Sequence, residues 1–73
     1  MVRVVFESWR EGMEKVSLAK LQVEKLGLSL KESKTNVDSL LNEKEIVYEI
    51  VDTNSAKDFQ EAADKLGVNC KII

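Results

Sequence analysis

Apolar positions recur along this chain in two rhythms. In VRVVFES (residues 2–8), Val2, Val4 and Phe6 alternate with Arg3, Val5 and Glu7, a period of two that predicts a strand. Trp9 follows, and Arg10, Glu11 and Gly12 read as a turn. From Met13 to Leu26 there is no glycine or proline, and Leu, Lys, Glu and Ala dominate, which predicts a helix. The segment EIVYEIVD (45–52) returns to the two-residue period, with Ile46, Tyr48 and Ile50 set against Val47, Glu49 and Val51. Asn54 or Ser55 is placed to cap a third helix running through Leu66, with Phe59, Ala62, Ala63 and Leu66 on one face. VNCKII (68–73) reads as a last strand, Val68, Cys70 and Ile72 alternating with Asn69 and Lys71.

The stretch GLSLKESK (27–34) divides the first helix from the second. Gly27 stands where a helix ends in the left-handed conformation, which glycine enters without strain. Gly67 ends the third helix in the same manner. Ser29 and Glu32 have the spacing of a capping box, so a new helix starts at about Leu30 and runs to Leu41. Its apolar stripe is Leu30, Val37, Leu40 and Leu41. The order strand, helix, helix, strand, helix, strand predicts an α+β two-layer sandwich. A three-stranded antiparallel sheet is expected, covered by three helices on one face, as a single domain spanning 1–73.

Composition narrows the function. With 11 basic and 13 acidic residues the net charge is −2, which argues against a nucleic-acid partner. No apolar run approaches the ~18 residues of a membrane span, and MVRVVFESWR lacks the layout of a signal peptide. The single cysteine, Cys70, has apolar neighbours and reads as a buried thiol in a reducing cytoplasm. There is no histidine, which removes the commonest general base and metal ligand. Glu43 with Glu45, and Asp58 with Glu61, read as solvated carboxylates. The expectation is a protein that is not an enzyme and carries no cofactor or metal.

Residues 12–41, GMEKVSLAKLQVEKLGLSLKESKTNVDSLL, carry a further signal. This stretch resembles the C-terminal domain of the bacterial large-subunit ribosomal stalk protein family, L-seven/L-twelve. The family reads there as glycine, Lys-Val, a helix, then Gly-Leu-Gly-Leu-Lys-Glu-Ala-Lys. The chain supplies Gly12, Lys15, Val16, Lys20, Gly27, Leu28, Leu30, Lys31, Glu32, Lys34 and Val37 at the corresponding positions without a gap. SAKDFQEAADKLGVNCKII also fits the family's last helix and strand. The resemblance implies a domain that docks translational GTPases through the first helix, the glycine-leucine turn and the start of the second helix. Val16, Lys20, Leu30, Glu32 and Lys34 match the family's docking residues. Three positions depart from it: Ala19 for the usual isoleucine, Val23 for arginine and Ser29 for glycine. The family's dimerisation domain and hinge have no counterpart in residues 1–73, so a free-standing relative from a mobile element or phage is expected. An adaptor of similar topology that delivers substrates to an AAA+ protease is the alternative of the same fold, although its gripping residues include a histidine that this chain lacks.

The first helix cannot bury all its apolar residues on one side. At about 100° per residue, Val16, Ala19, Val23 and Leu26 share one side, and Leu18 and Leu21 lie roughly opposite. If Leu18 and Leu21 face the sheet, the first set forms an outward stripe edged by Lys15, Lys20 and Lys34. That surface suits an acidic partner helix or a second copy. If the helix is rotated, the stripe is core. The expected protein-binding residues are therefore Val16, Ala19, Lys20, Val23, Leu30, Glu32 and Lys34, with a translational GTPase or another acidic-surfaced protein as partner. A second reading is a homodimer formed on the uncovered sheet face, where Val5, Val47, Val51 and Ile73 are expected, with Trp9 near one end; a tryptophan at a strand end more often lids the core than forms an interface.

Overall fold

Each rhythm adopts the structure it predicts in a computed structural model that describes all residues, Met1–Ile73. The elements are β1 (Val2–Trp9), α1 (Lys15–Leu26), α2 (Leu30–Leu41), β2 (Ile46–Ile50), α3 (Thr53–Lys65) and β3 (Val68–Ile72). The fold is α+β, and its three strands form one antiparallel sheet in the order β2-β1-β3. β1 and β3, from opposite ends of the chain, are thus hydrogen-bonded neighbours, and β1 is fastened on both sides.

The strand alternation sends Val4, Phe6, Tyr48, Ile50 and Val68 to the helix-covered side, where all are buried. Phe6, Tyr48 and Phe59 form an aromatic centre. Phe6 and Tyr48 meet edge-on at 4.9 Å between centroids, and Phe6 stacks on Phe59 at 5.5 Å. Leu18, Leu21, Val37, Leu40, Ala56 and Ala63 complete the core from the helices. α2 and α3 lie on the strands, whereas α1 packs on α2 and α3.

Local chemistry sets the boundaries. Gly27 ends α1 at φ 68°, its N–H donating to the Val23 carbonyl at 3.1 Å. Ser29 starts α2, its Oγ accepting the Glu32 N–H at 3.1 Å. The Glu32 carboxylate accepts from the Ser29 hydroxyl at 3.3 Å rather than from the serine amide. α1 begins at Lys15 and not at Met13, because the backbone at Glu14 is extended, φ −90° and ψ 94°, and its N–H is tied to the Leu66 carbonyl at 3.0 Å. Asp52 caps α3 in place of Asn54 or Ser55, its Oδ1 accepting the Ser55 N–H at 2.7 Å. β2 therefore stops at Ile50, and Val51 and Asp52 leave the strand.

One expectation for the uncovered sheet face changes. Val5 points there but is only 4% exposed, since it sits on the central strand between Val47 and Lys71. Charged side chains surround it, with Arg3 paired to Glu49 at 3.7 Å and Lys71 to Glu7 at 3.3 Å. A register shift between Phe6 and Ser8 pairs Trp9 with Val68 and so turns it toward the helix side of the sheet. Val47, Val51 and Ile73 remain exposed as separate apolar points.

Candidate protein-docking surface

The corner at Gly27–Ser29 folds α2 back along α1 and leaves a groove of about 440 Å³ between them. α1 lines it with Lys15, Val16, Ala19 and Lys20, three and four residues apart and hence on one side of the helix. α2 contributes Leu30, Lys34, Val37 and Asp38 at the matching spacing. Ala19 is 4% exposed and Val37 equally so; together they form the floor. Val16 and Leu30 stand over that floor with 70% and 51% of their surface open to water. Such exposure of branched apolar side chains leaves about 1–2 kcal/mol of burial free energy unrealised at each.

Charge surrounds the apolar strip. Lys15, Lys20 and Lys34 are exposed and line the groove, with Asp38 the one acid there. None of these lysines belongs to the chain's ion pairs, which are Arg3–Glu49, Arg10–Asp64, Lys25–Asp58 and Lys71–Glu7. Their ammonium groups are free to meet carboxylates of another molecule.

The seven expected binding residues divide. Val16, Lys20, Leu30 and Lys34 converge on the groove as expected. Ala19 is there too, but as buried floor and not as part of an exposed stripe; a residue with no side chain beyond Cβ lets the two helices close over it. Leu26, at the far end of the same stripe, packs against the core. Val23 is 36% exposed and lies outside the groove. Glu32 projects to the other side of α2, where it lines a separate cleft against β2. The groove residues missed from sequence are Val37, read only as part of the apolar stripe of α2, and Asp38, one turn beyond Lys34 on the same face.

A buried polar clamp holds the groove's two walls. Gln22 is fully buried on α1, and its Oε1 accepts from Tyr48 Oη at 2.8 Å and from Asn36 Nδ2 at 3.0 Å. Its Nε2 donates to the Leu18 carbonyl at 3.3 Å, so every polar atom of the amide is satisfied. One side chain thereby ties α1 to α2 and β2. Burial pushes the Tyr48 hydroxyl far above its ordinary pKa, so it stays a donor. Elsewhere, the Cys70 thiol donates to the Gln60 carbonyl at 3.4 Å, and burial, with Asp64 nearby, pushes its pKa up to about 11. A thiol so held is a weak nucleophile at neutral pH. No group of His, Cys, Asp or Glu side chains is gathered to hold a metal ion.

No protein-family model matches the chain, and no curated protein matches it.

Proposed function

We propose that this domain is a non-enzymatic protein-docking module that takes an acidic amphipathic helix of its partner into the α1–α2 groove. The supporting observation is the juxtaposition of Val16 and Leu30, both exposed, with three unpaired lysines over a closed Ala19–Val37 floor. Burial of the two apolar side chains supplies affinity, and the lysines select an acidic surface and speed encounter. The resemblance to the ribosomal stalk C-terminal domain makes a translational GTPase the first partner to try. Relative to that family, Ala19 in place of isoleucine lowers the groove floor, so a partner ridge that reaches deeper fits this groove, while Val23 changes the surface outside it.

The test immobilises the domain, captures proteins from bacterial lysate and measures binding of purified elongation factors directly. A translational GTPase should bind the wild type and lose at least tenfold in affinity to a Val16→Asp, Leu30→Asp variant whose circular dichroism is unchanged. Equal binding by the two proteins rules the groove out.

A further inference from the structure

We infer a second docking site, on the free edge of β2, for an extended partner segment in which apolar and basic residues alternate. The sheet has two edges, and they differ. β3 is partly shielded, because Gln60 of α3 donates its Nε2 to the Cys70 carbonyl at 3.3 Å. No such cover lies over β2.

The direction of each backbone group follows from the ladder. The Arg3 N–H and carbonyl exchange bonds with Ile73 at 3.0 and 2.9 Å, so Arg3 faces β3. Its neighbours Val2 and Val4, and Phe6 beyond, therefore turn their amides toward Ile50, Tyr48 and Ile46. Along β2 the alternate residues Val47 and Glu49 point their N–H and carbonyl groups outward, and no bond within the chain takes them. Unpaired groups of this kind form the template for an added strand.

Beside them lies a cleft of about 310 Å³ between β2 and the α1–α2 corner. Leu26, Leu28 and Ile46 give it apolar walls, and the Tyr48 hydroxyl beneath is already satisfied by Gln22. The charged side chains lining it are Glu32 and Glu49, both exposed and both acidic. Residues 45–50 hold two glutamates and no cation, so a second copy pairing β2 to β2 would set like charges together. A segment with apolar side chains toward the cleft and lysines on the other side meets both the walls and Glu49, whose exposed 3.7 Å contact with Arg3 is loose enough to be shared. This site is independent of the α1–α2 groove, and the failure of either leaves the other standing.

The probe is the blocked hexapeptide Lys-Val-Lys-Val-Lys-Val, titrated into 15N-labelled protein and followed by amide shifts and hydrogen exchange. The Val47 and Glu49 amides should shift and exchange at least tenfold more slowly. A peptide with glutamate for lysine should not bind, and Glu49→Lys should weaken the lysine peptide at least fivefold. Glu32→Gln, which leaves the strand untouched, should weaken it about twofold. Unmoved Val47 and Glu49 amides at millimolar peptide overturn the proposal. So do shifts confined to Val16 and Leu30, or sedimentation showing that β2 pairs with a second copy instead.

Discussion

Gly27 and Gly67 each end a helix with a positive φ, 68° and 102°, and sequence alone treats them as equivalent. Their surroundings differ. A Cβ built on Gly27 meets nothing within 4 Å, whereas one on Gly67 falls 2.8 Å from the Met13 Cα. Around Gly67 the chain's two ends are joined: its carbonyl accepts the Arg10 N–H at 2.8 Å, and the Leu66 carbonyl accepts the Glu14 N–H at 3.0 Å. The Arg10 guanidinium reaches the Asp64 and Val68 carbonyls and pairs with the Asp64 carboxylate. One corner is therefore a joint closed by backbone, and the other is open and leaves Leu30 and Lys34 exposed. The same local signal closes a packed joint at one place and leaves an open corner at the other.

The largest test of that contrast is Gly67→Ala. It should cost about 3 kcal/mol or more in urea unfolding, since strain at φ 102° and the Met13 overlap act together. That is a large part of the ~4–10 kcal/mol available to a chain of this size. A loss no greater than that of the Gly27 variant would erase the distinction between the corners.

pH probes the closed side next. Cys70 lies on β3, just after Gly67, and its thiol titrates at about 11 when folded against an ordinary 9.0. Folding therefore favours the protonated thiol. That contribution is fully present below pH 9 and is lost as pH rises through about 11. Stability should fall by about 1–2 kcal/mol over that window, less than the full shift implies because the side chain is only partly buried. Tyr48, raised in the same direction, extends the fall above pH 10. Cys70→Ala should flatten the curve between pH 9 and 10 in denaturation series.

On the open side, Gly27→Ala should cost only about 1 kcal/mol, the price of a left-handed alanine with no steric conflict added. Heteronuclear shifts should stay native on both helices, and groove binding should weaken less than twofold.

How far the sequence reveals these two corners depends on the range of the interactions involved. Gly27, Ser29 and the span of α2 are legible because caps act over three or four residues. So is the element order, which follows from period alone. Asp52 was hidden because it also continues the strand pattern of EIVYEIVD, and nothing local says that the strand stops at Ile50. Nothing around Gln22 in the sequence marks it for burial; only Asn36 and Tyr48, distant in sequence, make that burial tolerable. Val5 reads as an exposed valine until strand order places it at the centre of the sheet. The close approach of Met13 to Gly67 spans most of the chain and leaves no mark in either segment.

The smallest expected change in stability is the most informative about recognition. Lys34 is exposed, has no partner in the chain, and caps nothing, so Lys34→Gln should alter unfolding by less than about 0.5 kcal/mol. Its effect should appear in binding alone. If Lys34 meets a carboxylate at the groove, the variant should bind an elongation factor several-fold more weakly in low salt, and the difference should shrink as salt rises, because screening acts on exposed charge. Gln22→Leu supplies the counterpart: the clamp is lost, stability falls, and binding weakens through groove geometry without a salt dependence of its own. A Lys34→Gln deficit that persists undiminished at high salt would show that the side chain acts through its methylene stem, and that the corner recognises shape more than charge.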